Sequence, residues 1–221
     1  MPELIDVVTD LNEPTGQVVD KKAAHREGLW HRVLSALAVA PARGTILLQV
    51  KAADRVPGGP PAVPAVDFTV GGHLLAGEDP ADVREVREEL GLDLTYAQLH
   101  YLGIRQTAAT LPGGRVEREF QYWHLIPLER QIEDIPLADP EVAGLVEVTI
   151  EDAIQLADGR TDVVPARWSR RGPCGIEAGD ARLATANLVT SYVRADSDRI
   201  FLRMVIAARR YCAGERDYLF W

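Results

Sequence analysis

The sequence predicts a single α/β domain with a C-terminal helical extension. Three patterns indicate this class: short apolar runs bounded by turn residues, one well-delimited helix in the middle of the chain, and two helical segments near its end. With 47% hydrophobic residues among 221, the chain has enough apolar material to form a core without disulfides or a structural metal.

Apolar runs ended by glycine, proline or asparagine dominate the first half of the chain and predict strands, with one helical turn among them at 22–26. The runs at 30–40 and 45–50 are separated by turn residues 41–44, a spacing that favours a hairpin. A loop rich in proline and glycine at 56–64 is typical of a rim over a pocket. The strands predicted in this half are residues 3–8, 17–20, 30–40, 45–50 and 65–70.

The central helix is predicted at residues 80–90. Asp79 can cap it, Pro80 suits its first turn, and Gly91 ends it. Apolar side chains recur on the face predicted to pack against the sheet, namely Val83, Val86 and Leu90.

The second half begins with further strands and ends in predicted helices. Strands are predicted at 94–107, 116–126 and 145–150, followed by a short helix at 152–156. Residues 159–180 have no regular pattern, and helices are predicted at 181–194 and 197–213. We therefore expect a catalytic domain at 1–158 and a loop and helical extension at 159–221, packed on the same domain.

Charge and composition exclude some classes of function. The net charge of −9 argues against a nucleic-acid binder, which presents a basic face to phosphate. It is compatible with a small phosphorylated substrate, because bound cations reverse the local charge of an acidic pocket. We find no membrane-spanning apolar run, no secretory signal and no metal-ligand spacing around Cys174 and Cys212, so a cytoplasmic protein with free thiols is expected.

Carboxylates are concentrated in the predicted central helix. Positions three and four apart share a helix face, so Glu85, Glu88 and Glu89 cluster within about one turn. Their repulsion is relieved by a positive partner, and a hard divalent cation such as Mg²⁺ or Mn²⁺ prefers oxygen ligands. The alternative is a solvent-facing helix in which Arg84 simply pairs with Glu88.

Residues 84–92 resemble the Nudix hydrolase signature, which ends in Arg-Glu-apolar-x-Glu-Glu-x-Gly-apolar, at every fixed position. Gly71-Gly72 and Gly77-Glu78 match its glycine-rich loop. Two departures are present: five residues separate Glu78 from Arg84 where the family has seven, and Leu75 stands where many members carry a glutamate. Two residues lost within a helix would rotate a face by about 200°, so the shortening must be absorbed in the loop or the first turn.

This resemblance implies a Nudix-like α/β/α sandwich with a mixed sheet. It also implies a Mg²⁺- or Mn²⁺-dependent hydrolase in which Glu85, Glu88 and Glu89 bind metal and act in catalysis. The implied partner is a small phosphorylated substrate, a nucleotide in our prediction, with no nucleic acid and no membrane. A homodimer is compatible with the resemblance.

A second set of motifs resembles one Nudix branch, which includes isopentenyl-diphosphate isomerases and related hydrolases. Its members share, in this order, Pro14-Thr15-Gly16, Ala24-His25, Gly28-Leu29-Trp30-His31, Gly72-His73, Glu117-Arg118-Glu119 and 139–144. In the isomerases, the equivalents of five residues hold a divalent metal: His25, His31, His73, Glu117 and Glu119. The competing interpretation is that the histidines are structural or lie at the surface, and that the two glutamates form a solvated strand edge. The resemblance covers about residues 4–158.

The same comparison favours hydrolysis over isomerisation. The isomerases need a cysteine immediately before the Gly-His pair, and Gly71 occupies that position here. A third possibility is a non-enzymatic nucleotide sensor, which the complete set of helix carboxylates argues against. In the hydrolase hypothesis, Arg84 orients a glutamate, and Glu119, or else Glu117, binds metal or accepts a proton. Substrate contacts are predicted for Lys51, Arg55, Gly71 and Gly72.

Overall fold

A computed structural model describes residues 3–52, 65–110, 114–189 and 198–219. Within these ranges the chain forms eleven strands and four α-helices. The strands are β1 (Leu4–Val8), β2 (Pro14–Asp20), β3 (His31–Ala40), β4 (Thr45–Lys51), β5 (Val66–Phe68), β6 (Val70–His73), β7 (His100–Thr110), β8 (Val116–Pro127), β9 (Val142–Thr149), β10 (Val163–Gly172) and β11 (Gly175–Ala184). The helices are α1 (Lys21–Glu27), α2 (Arg84–Leu90), α3 (Ile150–Ala157) and α4 (Ile200–Cys212).

Nine of these strands form one mixed sheet. Its order is β11-β10-β9-β4-β3-β8-β7, with β5 paired to β4 and β6 paired to β3. Strands β3 and β8 run parallel through a continuous register from His31 opposite Glu119 to Val39 opposite Pro127, and the other pairs are antiparallel. Strands β1 and β2 make a separate two-stranded ribbon.

The alternating side chains of β3 supply two hydrophobic cores, one on each face of the sheet. Leu34, Ala36 and Ala38 pack with Val86 and Leu90 of α2. On the opposite face the core is built around α3 and α4, and it contains Leu37, Val39, Trp123, Phe201 and Met204. Helices on both faces of a mixed sheet confirm the predicted α/β/α sandwich.

The predicted strands of the first half are present, and β3 and β4 pair as the expected hairpin through Ala38–Ala40 and Thr45–Leu47. The predicted strand at 65–70 is divided into β5 and β6, which pair with different partners. The loop at 56–64 lies outside the described residues.

The start predicted for the central helix was wrong. Helix α2 begins at Arg84, with Val83 at its N-cap and no side chain capping it. Asp79 instead closes a local turn, accepting a hydrogen bond from the backbone N–H of Ala81 at 2.8 Å. The end was correct, because Gly91 adopts a left-handed conformation with φ of 68° and caps the helix. The helix has only seven residues and lacks the predicted first turn, so of the two places predicted to absorb the shortening, the loop and the first turn, the difference lies before Arg84.

The segment from 94 to 107 was also predicted inaccurately, since a short 3-10 helix at Tyr96–Gln98 precedes β7. A larger correction concerns the C-terminal extension. Residues 159–180 are not irregular, because β10 and β11 form a hairpin paired from Val163–Ala184 to Gly172–Gly175. The helix predicted at 181–194 is absent from the described part of that segment, where β11 continues to Ala184 and a 3-10 turn follows at Thr185–Asn187.

The predicted helix at 197–213 corresponds to α4. The extension is therefore a hairpin followed by a helix, and β10 joins it to β9 of the main sheet. Two free thiols, Cys174 and Cys212, lie within it, the first exposed and the second half-buried. Among the described helices, none is long and apolar enough to cross a membrane.

Candidate active site

Strand β6 lies beneath the acidic helix and brings its glycines against the helix carboxylates. A β-carbon added to Gly72 would overlap the carboxyl group of Glu85. The backbone N–H of Gly71 points to Oε2 of Glu89 at 3.3 Å. Of the two glycines predicted to contact substrate, Gly72 therefore allows α2 to approach the sheet closely, and Gly71 directs its backbone N–H at a helix carboxylate.

Of the three helix carboxylates, Glu89 is buried, Glu85 is largely buried and Glu88 is exposed. The side chain of Glu85 is 12% exposed and Glu89 is 9% exposed, whereas the side chain of Glu88 is 48% exposed. Burial raises the pKa of Glu85 to about 7 and that of Glu89 to about 8. A cation beside them would offset this cost by favouring the ionised forms. The Arg84–Glu88 pair of the alternative interpretation is present at 2.6 Å, but the helix also carries Glu89 on a buried face.

Arg84 links the helix carboxylates to the preceding loop. Its guanidinium contacts Glu85 at 2.8 Å and Glu88 at 2.6 Å, and it forms two hydrogen bonds of 3.1 Å to Glu78. It also donates to the backbone carbonyl of His73 at 2.9 Å. Glu78, which precedes the shortened segment, therefore anchors the arginine.

Lys51 approaches the same carboxylates from the end of β4. Its ammonium lies 3.1 Å from Asp67, and the charges of Asp67 and Glu89 outweigh burial and raise the pKa of Lys51. Gln49, two residues earlier and 2% exposed, points its side-chain amide to Oε2 of Glu89 at 3.4 Å. Lys51 is thus part of a mixed-charge group, while Arg55 lies outside the described residues.

A second group is formed by His25, His31, His73 and Glu119. One ligand atom from each residue lies within 4.8 Å of the ligand atoms of the other three. Among the described residues, this is the group whose geometry could hold a metal ion. The Nε2 atoms of His25 and His73 are 3.0 Å apart, and Nε2 of His31 is 3.8 Å from Oε1 of Glu119. The fold therefore brings together four of the five ligands implied by the resemblance.

The hydrogen bonds of two histidines prepare this group for a cation. Nδ1 of His25 lies 3.0 Å from the carbonyl oxygen of Val116, and Nδ1 of His31 lies 2.8 Å from that of Leu29. A carbonyl oxygen only accepts, so each Nδ1 is the donor and each Nε2 of the neutral ring carries a lone pair. The Nε2 of His25 faces Nη2 of Arg115 and Nε2 of His73, each 3.0 Å away. Nε2 of His31 is buried without a hydrogen-bond partner. An unpartnered lone pair beside two further imidazoles and a carboxylate is a donor set that fits a divalent cation.

Burial keeps these rings neutral. It lowers the pKa of His25 to about 4 and also lowers the pKa of His31, and it holds the pKa of His73 well below its ordinary value. Neutral imidazole is the form that binds a metal.

Glu117, the fifth predicted ligand, lies outside this four-residue group and faces Arg115 at 3.8 Å. Burial and the charge of Glu119 raise its pKa to about 7. Burial likewise raises the pKa of Glu119, whereas a hydrogen bond from Gln121 opposes the increase. The two carboxylates therefore interact, as expected for residues two apart on a strand.

The two groups lie on opposite faces of the sheet. Gly72 pairs with Leu34, on the face covered by α2, whereas His73 pairs with Val33 on the other face. Glu119 pairs with His31 on that second face. The charge of Asp67 raises the pKa of Glu89 and also of Glu117 and Glu119, so this carboxylate acts electrostatically on both groups.

Sequence reasoning missed Gln49, Asp67, Arg115 and Gln121. The signal for Gln49 and Asp67 was a polar side chain inside an apolar strand run, since buried polar groups usually have a specific partner. For Gln121 the signal was its position two residues after Glu119, which places it on the same strand face. We find no comparable signal for Arg115.

Comparison with known proteins shows which family this chain is similar to. The model of the NUDIX domain family matches residues 29–168, more than half of the chain. An uncharacterised Nudix hydrolase of Clostridium acetobutylicum is 29% identical over 164 residues, covering 73% of this chain and 77% of that protein. Nudix hydrolase 3 of Arabidopsis thaliana is 27% identical over 157 residues, which are 68% of this chain but only 20% of that protein. Among solved structures, a MutT/nudix family protein from Enterococcus faecalis aligns with a TM-score of 0.47 and 14% identity, covering 86% of this chain and 65% of that one.

Proposed function

The chain belongs to the Nudix hydrolase family, and from this premise we propose that it hydrolyses the diphosphate linkage of a nucleoside diphosphate derivative or a similar small phosphorylated metabolite. The observation that carries the proposal is a pair of largely buried carboxylates, Glu85 packed against Gly72 and Glu89 facing the backbone N–H of Gly71. Two buried acidic groups with raised pKa values are costly in a protein that never binds a cation there.

In this proposal Glu85, Glu88 and Glu89 hold Mg²⁺ or Mn²⁺. When bound, such a cation neutralises phosphate oxygens and lowers the pKa of the attacking water. Arg84 fixes the rotamers of Glu85 and Glu88 through its direct contacts with both. Lys51, oriented by Asp67, is our candidate for contacting a phosphate oxygen.

A cation at His25, His31, His73 and Glu119 is a further part of the proposal. The donor set and the unpartnered Nε2 of His31 support it. It agrees with the resemblance to the isomerase-containing branch, which we propose as the chain's position within the family. With Glu119 as a ligand, Glu117 beside it is the candidate to accept a proton from water at this site.

The same histidine group makes isomerisation the second candidate. The isomerase resemblance calls for a thiol where Gly71 stands, and both cysteines of the chain lie in the C-terminal extension. Without a thiol at this position the site lacks the group that moves a proton on carbon, so hydrolysis is the better-supported reaction.

The test is metal-dependent cleavage of a substrate panel. Nucleoside di- and triphosphates, nucleotide sugars, dinucleotides and isopentenyl diphosphate are incubated with Mg²⁺ or Mn²⁺, and products are separated by chromatography. Glu85→Gln and Glu89→Gln are run beside the wild type. Glu151→Gln is the matched control. The side chain of Glu151 on α3 is 70% exposed, and its ion pair with Arg209 is long, at 3.8 Å.

We expect one substrate class to be cleaved by the wild type and by the Glu151 variant, and loss of at least about 100-fold in rate in the two helix variants. Cleavage that persists unchanged in Glu85→Gln and Glu89→Gln would show that these carboxylates are not the catalytic group. Proton exchange on isopentenyl diphosphate without any hydrolysis would replace the proposal by the isomerase.

A further inference from the structure

We propose that Gln121 is a positioning residue that orients the carboxylate of Glu119 toward the histidine group. This inference rests on the metal site proposed above for His25, His31, His73 and Glu119. The hydrogen bonds described for Gln121 go to Arg105, Glu119 and Trp123 and to none of the histidines, so we propose that it acts through the carboxylate.

The amide of Gln121 is surrounded by groups that determine which way it faces. Its Oε1 accepts hydrogen bonds from Nη1 of Arg105 at 2.7 Å and from Nε1 of Trp123 at 3.2 Å. Guanidinium and indole N–H groups can only donate. The oxygen of the amide must therefore face Arg105 and Trp123, and its NH₂ group must face the opposite way.

That NH₂ group meets Glu119. Nε2 of Gln121 donates to Oε2 of Glu119 at 3.0 Å. Because Oε2 is held in this bond, the other oxygen, Oε1, is the one directed at Nε2 of His31, at 3.8 Å. The two carboxylate oxygens thus have separate partners, one in the supporting amide and one in the histidine group.

Strand register gives this arrangement its rigidity. Arg105 of β7 lies directly opposite Gln121 of β8, and Glu119 of β8 lies directly opposite His31 of β3. Gln121 is 8% exposed and Trp123 is 2% exposed, so water does not compete freely for their hydrogen bonds. Outside the sheet, Arg105 is held by Asp198 just before α4, through contacts of 2.6 and 3.1 Å.

This chain of contacts connects the C-terminal extension to the proposed metal ligand. Asp198 fixes Arg105, Arg105 fixes the amide of Gln121, and the amide fixes Glu119. Supporting hydrogen bonds of this kind typically change metal affinity by about 10- to 100-fold. The extension would then contribute to the site through orientation, although none of the proposed ligands belongs to it.

The experiment is titration of the metal-free protein with Co²⁺, whose visible absorption reports imidazole and carboxylate ligation. Wild type, Gln121→Met, Arg105→Met and the double variant are compared, and His31→Ala identifies the part of the signal that comes from the histidine group. Gln106→Met is the matched control. Gln106 follows Arg105 on β7, and its side-chain amide donates a hydrogen bond to the exposed backbone carbonyl of Asp10 at 3.0 Å. Thermal unfolding of each variant confirms that it is folded at the titration temperature.

We expect Gln121→Met to weaken Co²⁺ binding by about tenfold or more and to change the absorption spectrum, with Gln106→Met unchanged. If Arg105 acts only through Gln121, the double variant binds no more weakly than Gln121→Met alone. Wild-type affinity and spectrum in Gln121→Met, with binding lost in His31→Ala, would overturn the positioning role while leaving the metal site standing. A Co²⁺ signal unaffected by His31→Ala would overturn both the positioning role and the histidine metal site, whereas hydrolysis at the helix carboxylates is tested separately by Glu85→Gln and Glu89→Gln.

Discussion

Gly72 shows how strongly a single residue is determined by its neighbours in this protein. A methyl group there would overlap the carboxyl group of Glu85, so Gly72→Ala must displace the glutamate or the helix that carries it. A displacement of about 1 Å in an active site costs on the order of 100-fold in rate. Gly71→Ala is the comparison, because a β-carbon at Gly71 meets no atom within 4 Å. Steady-state kinetics should therefore show a much larger loss for Gly72→Ala, and equal losses would refute the steric explanation.

His124 is a buried residue whose protonation is expected to limit stability in acid. Burial lowers its pKa from 6.5 to about 4, so the unfolded chain binds this proton before the folded chain does. The stability that the neutral ring contributes is complete above pH 6.5 and is lost as the pH falls through 4, an effect of about 3 kcal/mol. In His124→Phe the free energy of unfolding, measured by urea titration from pH 7 to pH 4, should fall less steeply than in wild type. Parallel pH profiles would contradict this prediction, since the other buried histidines are present in both proteins.

At the residue scale, sequence patterns located the candidate metal ligands more reliably than the side chains that form hydrogen bonds or ion pairs with them. Glu85 and Glu89 were predicted from helical spacing, and His25, His31 and His73 from motif resemblance. The supporting residues Gln49, Asp67 and Gln121 come from separate strands, and their contacts arise only when the register of the sheet is set. Periodicity describes one element at a time, so it carries no information about such contacts.

At the scale of secondary-structure elements, the start of α2 and the strands β10 and β11 were predicted wrongly. Helix α2 was predicted from Pro80 because proline and aspartate commonly begin helices, yet residues 79–82 form a turn closed by the bond from Asp82 N–H to the carbonyl of Asp79. Local hydrogen bonding by an aspartate competes with the helix at this point. Strands β10 and β11 were missed because polar residues alternate irregularly along an exposed hairpin.

Arg171 of β10 is expected to hold this hairpin against the loop that precedes β9. Its guanidinium donates to the carbonyl oxygens of Leu137, Asp139 and Val142, the last at 3.1 Å. Removing a charged donor from three carbonyls should cost roughly 2 to 3 kcal/mol, so Arg171→Met should lower the free energy of unfolding by about that amount.

Arg170→Met is the matched control for that measurement. Arg170 is the preceding residue on the same strand, and its side chain, 63% exposed, pairs with the exposed Glu177 at 3.2 Å. Such surface pairs contribute about 0 to 1 kcal/mol. Equal destabilisation of the two variants in denaturant titrations would mean that the carbonyl contacts of Arg171 are not the source of the stability.

At the scale of the whole molecule, the sheet separates two groups of candidate ligands, the carboxylates of α2 and the histidine group. Gly72, which contacts the first group, and His73, which belongs to the second, are neighbours in the sequence. Strand alternation sends Gly72 toward α2 and His73 toward the histidines. The resemblance implied the α/β/α class, and β3 agrees with it, because Val33 to Ala40 are buried and apolar on both faces apart from Ser35. Strand alternation alone places Gly72 and His73 on different faces, but the residues that each of them meets were not predictable, because they depend on which strands flank β6.

The boundary predicted at residue 158 leads to a final prediction about cooperativity. Met204 of α4 is fully buried in the core that also contains Val39 of β3 and Trp123 of β8, so the extension and the preceding domain share one core. Met204→Ala should cost about 2 to 5 kcal/mol and should shift the whole transition, because removing these contacts weakens both segments together. Unfolding in urea, followed by tryptophan fluorescence and by far-ultraviolet circular dichroism, should give coincident curves in wild type and variant. Tyr218→Ala, at a side chain 88% exposed, should change the free energy of unfolding by no more than about 0.5 kcal/mol. If Met204→Ala instead produced an early partial transition seen by only one probe, residues 159–221 would unfold on their own and the single-domain prediction would be wrong.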